Sequence, residues 1–233
     1  METRCEDGVA LIVALLALLL LSALGAALVL TSSGETMIAG SFRRGQEAFY
    51  AADAIAERSI ADLAGVSDWS HLLDGSVRSG FVDGPPAGAR PLGDGGTIHL
   101  SEVINLASCG KRSPCSAAEL EACSDERPWS LNNPRWTLFA HGPIADLVPG
   151  AAGGSTIYAV ALVGDDPSET DDNPQVDGGP AAVGGPENAG VGVIVLRAEA
   201  FGPRGAHKVV EVTVARAGDS PPGVRVLSWR HLK

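Results

Sequence analysis

One stretch of this chain decides most of what it can fold into. Val9 to Leu30 is a run of 22 residues without a charge, interrupted only by Ser22 and Gly25. Coiled at about 1.5 Å per residue, it spans about 33 Å, enough to cross a bilayer core of about 30 Å. A secretory signal has a shorter apolar core, about 7–15 residues, with a small-residue cleavage site after it. Ser22-Ala23-Leu24-Gly25-Ala26 offers small residues, but the run continues past them to Leu30, so a retained helix is expected. A wholly soluble cytoplasmic protein is excluded by that run, and a multi-span transporter by its being single. The rest of the chain is Gly- and Pro-rich and acidic. The 233 residues include 29 Gly, 15 Pro, 28 Asp+Glu and 17 Lys+Arg, for a net charge of -11. An acidic surface repels polyanions, so nucleic acid is not an expected partner.

The apolar run leads into more helix. Ser32-Ser33-Gly34-Glu35 has capping-box form and predicts a restart or kink. Beyond it, Ile38, Phe42, Gly45, Phe49, Ala52, Ala56, Ile60 and Leu63 recur at steps of three and four, the period of one helix face. Arg43 with Glu47, and Arg58 with Asp62, stand four residues apart on the other side, and Gly65 is a stop signal. The first 65 residues therefore read as one long, nearly continuous helix, apolar all round at first and amphipathic later. This is either a membrane anchor with a helical stalk or the packing stem of a filament subunit. Lys and Arg number one before the run (Arg4) and two after it (Arg43, Arg44). That count weakly favours a cytoplasmic C-terminal part; the cysteines and the resemblance described below point the other way.

The last 80 residues read as strands. Thr156 to Val163, Val191 to Ala200, Val209 to Ala215 and Val224 to Trp229 are rich in β-branched residues. Val210, Val212 and Val214 alternate with Glu211, Thr213 and Ala215, which predicts one buried and one wet face. Gly202-Pro203-Arg204-Gly205 marks a turn. An antiparallel meander with the amphipathic helix laid across its apolar face is an α+β fold. Residues 66 to 135 are less regular. Gly80 to Gly96 reads as loop, Thr97 to Leu106 as a strand or short helix, Ala117 to Ala122 as one or two helical turns, and Trp136 to His141 as a strand.

The N-terminus resembles a known family. Glu6-Asp7-Gly8-Val9-Ala10-Leu11-Ile12-Val13 looks like a class III prepilin signal, a short hydrophilic leader ending in Gly directly before the apolar helix. The following Met37-Ile38-Ala39-Gly40 and Gln46-Glu47-Ala48-Phe49-Tyr50-Ala51-Ala52-Asp53-Ala54 are similar to PilX-type minor pilins, to which K-type minor pseudopilins are related. The resemblance implies cleavage by prepilin peptidase after Gly8 and N-methylation of Val9, although this leader has fewer basic residues than most. It implies a pilin-like fold in four parts: a leader (1–8), a transmembrane helix (9–30), an amphipathic stalk helix (31–65) and an extracytoplasmic head (66–233). Implied partners are other pilins in a filament tip complex, prepilin peptidase, an inner-membrane assembly platform and, before assembly, membrane lipid. The implied location is the bacterial inner membrane, single-pass, and then a pilus or pseudopilus. Major pilins carry Glu at the fifth position after the cut, where it pairs with a neighbour's N-terminal amine. Here that position is Val13. A buried unpaired charge is expensive, so a subunit without this carboxylate fits the filament tip. A priming or capping minor subunit is the expectation.

Three further features bear on function. Asp165, Asp171, Asp172 and Asp177 lie in an acidic loop with Asp166, Glu169 and Asn173. Carboxylates of this kind are the hard oxygen ligands calcium takes, although the spacing is not that of an EF-hand, and a solvated acidic loop is the competing reading. Cys5 lies in the leader, leaving Cys109, Cys115 and Cys123 as disulfide candidates. Outside the cytoplasm one internal pair is expected, Cys109 with Cys115 or Cys115 with Cys123. The histidines and serines form no recognised catalytic motif, so no enzyme activity and no catalytic residue are expected. The alternative to a pilin is a single-span, membrane-tethered extracytoplasmic binding module, adhesin-like or calcium-binding, that never enters a filament.

Overall fold

The computed structural model describes residues 6–121, 133–147, 155–169, 171, 173–178, 190–219 and 222–232. The chain divides into two compact units, Met1–Arg43 and Arg44–Lys233.

The first unit is helical. Helix α1 extends over Glu6–Leu63, so it begins in the first unit and ends in the second. It does not restart at Ser32-Ser33-Gly34-Glu35, contrary to the capping-box expectation. The neighbouring hydroxyls show why. Thr31 Oγ1 donates to the Ala27 carbonyl at 3.0 Å, and Thr36 Oγ1 to the Ser32 carbonyl at 2.9 Å. Ser22 does the same to Leu18 at 2.8 Å. A hydroxyl turned back onto the preceding turn is satisfied inside the helix and has no need to cap one. Side chains from Val9 to Leu30 are exposed throughout. Leu20 is 64% accessible and Leu30 is 73%.

The second unit is built on an antiparallel meander of five strands. These are β3 (Thr137–Pro143), β4 (Tyr158–Asp165), β5 (Val193–Phe201), β6 (His207–Asp219) and β7 (Pro222–Leu232), paired in chain order. Both faces of β4 are covered and all eight of its residues are buried. Its unbroken apolar run has the pattern of a strand with no wet face. Ala159, Ala161 and Val163 join the core beneath α1, while Tyr158, Val160 and Leu162 join a second core. The second core is closed by Leu100 and Val103 of helix α3 (Leu100–Cys109). A long helix packed on an antiparallel sheet is the α+β arrangement expected.

The helix face that meets the sheet is offset from the predicted stripe. Ala48, Ala51, Ala52, Ile55, Ala56 and Leu63 are buried, with Ser59 among them. Ile38 and Phe42, placed on that face by periodicity, are 72% and 69% exposed. Alanines are the commonest buried residue on this face, and Ala159, Ala161, Ala198 and Ala200 of the sheet belong to the same core. Burying Ile55 contributes about 1.5–3 kcal/mol relative to leaving it in water.

The predicted wet face of β6 is drier than expected. Glu211 and Ala215 are buried, at 3% and 7% exposure. The Glu211 carboxylate is covered from β7 by Arg230, whose Nε donates to it at 3.1 Å. A charged side chain is buried at low cost when an opposite charge is hydrogen-bonded to it. Within the second unit, Gly80 to Gly96 holds a short strand, β1 (Ala89–Pro91), in place of pure loop. It pairs with β2 (Thr97–His99), so the ambiguous Thr97–Leu106 segment is a strand followed at once by α3. Gly110 ends α3 with φ of 72° and returns its N–H to the Leu106 carbonyl at 3.1 Å.

Candidate functional site

The N-terminal segment singled out by the sequence lies in α1. Among the described residues this is the one helix long and apolar enough to cross a membrane. Gly8 lies two residues past the start of α1 and Val9 follows it as an exposed residue. Val13, where a carboxylate was expected in a major subunit, is 59% exposed on the uncharged surface. Polar hydroxyls on this surface bond to their own helix, as shown for Ser22. A helix of this kind offers lipid or a neighbouring apolar helix no unsatisfied polar group. Beyond the first unit, Arg58 and Asp62 form the expected pair at 3.0 Å.

The acidic loop brings some of its carboxylates together. Oxygens of Asp165, Glu169 and Asp171 lie within 4.8 Å of one another. Asp165 comes from the last position of β4, and both it and Glu169 are buried. The turn that returns Glu169 toward Asp165 is held by Asp166, which accepts the Ser168 backbone N–H at 3.0 Å and its hydroxyl at 2.6 Å. Gly190 packs so closely on Glu169 that a Cβ there would fall 2.1 Å from Glu169 Cγ. Asp177 is not a member of this group. Its Oδ1 accepts the Gly192 N–H at 2.7 Å and its Oδ2 stands 3.8 Å from Arg216. Burial pushes the Asp177 carboxyl above its ordinary range. Asp172 lies outside the described residues. Of the four candidates, the structure thus gathers Asp165 and Asp171 and adds Glu169. Three carboxylates match the ligand chemistry of a hard cation and supply part of the six to eight oxygens calcium takes.

Cys109, at the end of α3, is joined to Cys115 in a disulfide with a Cα separation of 6.1 Å. The loop it closes is braced by Lys111 on Glu119 and by the Asn105 amide on the Arg112 carbonyl. Ser116 hydroxyl and backbone N–H both donate to Glu119, at 2.7 Å each, which caps helix α4 (Ala117–Glu121). Lys111 and these bonds hold the Glu119 carboxyl down at about 2. Cys123 lies outside the described residues.

One constellation gave no sequence signal. Asp83 Oδ1 accepts from Arg90 Nε at 2.8 Å, Tyr158 hydroxyl at 2.7 Å and His141 Nδ1 at 2.9 Å. A parallel bridge between Val82 and His141 positions them, with the Asp83 N–H on the His141 carbonyl at 3.1 Å. A carboxylate only accepts, so the imidazole proton sits on Nδ1. Nε2 is then a lone-pair nitrogen, fully buried and without a hydrogen-bond partner among the described residues. Burial is the main force lowering the His141 pKa, with Arg90 and Arg78 adding to it and Asp83 opposing. Burial raises the Asp83 carboxyl, but its three donors together outweigh that and hold it below the usual range. The same burial and carboxylate push the Tyr158 phenol up. With His141 inaccessible to solvent, this cluster ties the 79–90 loop to β3 and β4 and is not an open reaction site.

Comparison with known proteins gives one match. Residues 7–54 match the family model described as PilX N-terminal. No curated protein and no solved structure matches the chain. Over residues 7–54 the chain is therefore similar to the N-terminal segment of PilX-type pilins.

Proposed function

From that PilX-type segment, we propose that the chain is a minor subunit that primes or caps a type IV pilus-like filament. Prepilin peptidase cleaves after Gly8 and leaves Val9 as the N-terminus. The observation that carries this reading is the family match over residues 7–54. The exposed, uncharged surface of Val9 to Leu30 supports it. Before assembly the helix rests in the inner membrane as a single-pass anchor with the head outside the cytoplasm. In the filament it exchanges lipid for neighbouring helices, at little change in polarity. Val13 supports the tip position, since it offers no carboxylate to the amine of a further subunit. Because Gly8 lies in the first turns of α1, cleavage requires that end of the helix to fray, which terminal turns do readily. N-terminal sequencing of the protein from its native membrane tests the reading. Val9 as first residue is the expected result, and a Gly8→Glu variant is expected to keep the leader. A first residue of Met1, or one near Ala26, sinks it in favour of a permanently anchored binding module.

A second and separate proposal concerns the acidic loop, where Asp165, Glu169 and Asp171 hold calcium. The mutual approach of their oxygens within one short stretch of chain is what favours it.

A further inference from the structure

The two edges of the five-stranded sheet differ. Along β3 the 79–83 segment closes the edge. Ser79 and Asp83 donate their N–H groups to the Phe139 and His141 carbonyls at 3.0 and 3.1 Å, and the His141 N–H goes to the Phe81 carbonyl at 3.0 Å. Strand β7, at the other end of the strand order, is paired with β6 on one side. On its outer side, residues 223–232 make no backbone hydrogen bond among the described residues. Every second residue of an edge strand turns its N–H and C=O outward, which makes an open edge a template for a further strand. This edge is not uniform along its length. Leu227 is an extra residue between Val226 and Ser228 in the register with β6, and such a bulge breaks the regular ladder. Beyond it, Ser228 to Leu232 pair with β6 without a break, over about the length of an ordinary strand.

Charge narrows the kind of strand that fits. Arg197 of β5, Glu211 of β6 and Arg230 of β7 stand opposite one another in register. This row alternates in sign and ends on a cation at the open edge. Glu211 accepts from Nε and one terminal nitrogen of Arg230, which occupies two of the five N–H donors of a guanidinium. The Arg230 side chain is half-exposed. On an added strand, Asp or Glu opposite Arg230 continues the row, whereas a cation there meets it as a like charge. From Pro222 to Lys233 the sequence has Arg225, Arg230 and Lys233 but no Asp or Glu. No register of a second copy's β7 therefore supplies the carboxylate. On the other face of β7, Trp229 and His231 stand opposite Val212 and Val210, which belong to the core beneath α1. His231 stacks on Phe49, with ring centroids 4.3 Å apart. Side chains alternate between faces along a strand, so the residues flanking the carboxylate fall beside these rings and are apolar.

We propose that Ser228 to Leu232 form a strand-addition site for an extended segment of a partner protein, one that carries a carboxylate between two apolar residues. The main chain of that segment pairs with the open edge of β7, and its carboxylate lies opposite Arg230. The inference rests on the register and charge of the sheet and is independent of the filament reading above.

Peptide titration of the full chain in micelles of an uncharged detergent tests it, with the backbone amides followed by NMR. The probe is the blocked peptide Thr-Val-Glu-Val-Thr. One control replaces its Glu by Lys, and a second replaces the Val after Glu by Pro, which removes a main-chain donor. The expected result is a saturable shift of amides within Ser228 to Leu232 on adding the Glu peptide. The Lys peptide is expected to bind about fivefold more weakly, and the Pro peptide not to saturate. The double variant Glu211→Gln with Arg230→Gln removes both charges from this end of the row and keeps a hydrogen-bonding pair. It is expected to bind the Glu and Lys peptides alike, and a retained fivefold preference overturns the proposal. Where that variant fails to fold, the comparison of peptides on the parent chain decides. Equal binding of the Glu and Lys peptides to the parent, or no shift at these amides, also overturns it. So does slow hydrogen exchange at every amide from Ser228 to Leu232 in the free chain, which would mean that the edge is already covered. Changes at the same amides on diluting the protein alone would identify a second copy as the occupant, against the charge argument.

Discussion

Replacing His141 by Asn separates the proton-linked part of this protein's stability from the rest. The Asn side chain places an amide donor where imidazole Nδ1 now meets Asp83, at 2.9 Å. It removes the buried, partnerless Nε2 and does not titrate. In the native protein His141 is neutral, because burial above all, with Arg90 and Arg78, lowers its pKa from about 6.5. The unfolded chain keeps a value near 6.5 and so takes up a proton on acidification before the folded chain does. Proton binding favours the state that binds more of it, so stability falls as pH drops through 6.5 and keeps falling until the lowered native pKa is reached. For one site the slope approaches about 1.4 kcal/mol per pH unit. His71, His99, His207 and His231 remain in both proteins, so the difference between variant and parent isolates His141. Urea unfolding of the detergent-solubilised chain, followed by tryptophan fluorescence from pH 7.5 to 5.5, measures it. The variant is expected within about 1 kcal/mol of the parent at pH 7.5, since one donor to Asp83 is kept. Below pH 6.5 its curve is expected to be flatter by up to about 1.4 kcal/mol per pH unit. Parallel curves would falsify the account, since a neutral, buried imidazole must show this difference.

Asp83→Ala removes the acceptor shared by Arg90, Tyr158 and His141. It is expected to cost about 2–5 kcal/mol in the same assay, from two buried donors left unpaired, with Asp83→Asn costing less. Ile55→Ala, at a fully buried position, is expected to lower head stability by about 2–5 kcal/mol. Leu20→Ala, at a position 64% exposed, leaves unfolding of the head unchanged within about 0.5 kcal/mol; a comparable loss at both positions would contradict the division of α1. Calcium in excess is expected to raise the melting temperature of the solubilised chain relative to EDTA, and Asp165→Asn to abolish the increase. Identical melting in calcium and EDTA removes the metal from the acidic loop.

What could be read from sequence was what local pattern encodes. The alternation of Val210, Val212 and Val214 located β6 and its buried face, because a strand's period is independent of its partners. The step of three and four along Ala52, Ala56 and Leu63 located the covered helix face, but Ile38 and Phe42 drew the stripe too far toward the N-terminus. Hydrophobicity ranks Phe above Ala, whereas the buried positions of this face are mostly Ala. The capping-box form at Ser32-Ser33-Gly34-Glu35 misleads for a related reason: it describes a boundary, and it carries no information on whether the residues before it are already helical. The Asp83–His141–Tyr158 cluster spans residues 58 and 75 apart in the chain. Its only antecedent is the pairing of the Val82 segment with β3, a tertiary event without local periodicity.

The two halves of α1 therefore answer to different partners. From Ala48 to Leu63 the buried residues are mostly alanines, and those alanines share one core with residues of the sheet. From Val9 to Leu30 the residues are mainly Leu, Val and Ile, exposed on all sides, with hydroxyls turned back on the helix. A surface so uniform has no preferred rotational register of its own, which suits lipid and leaves register to be set elsewhere. In a filament whose core is made of such helices, apolar packing alone supplies affinity without direction. Direction must then come from features that are not uniform. Under the filament reading proposed above, the one on offer within the helix is negative: Val13 has no carboxylate to pair with the amine of a further subunit.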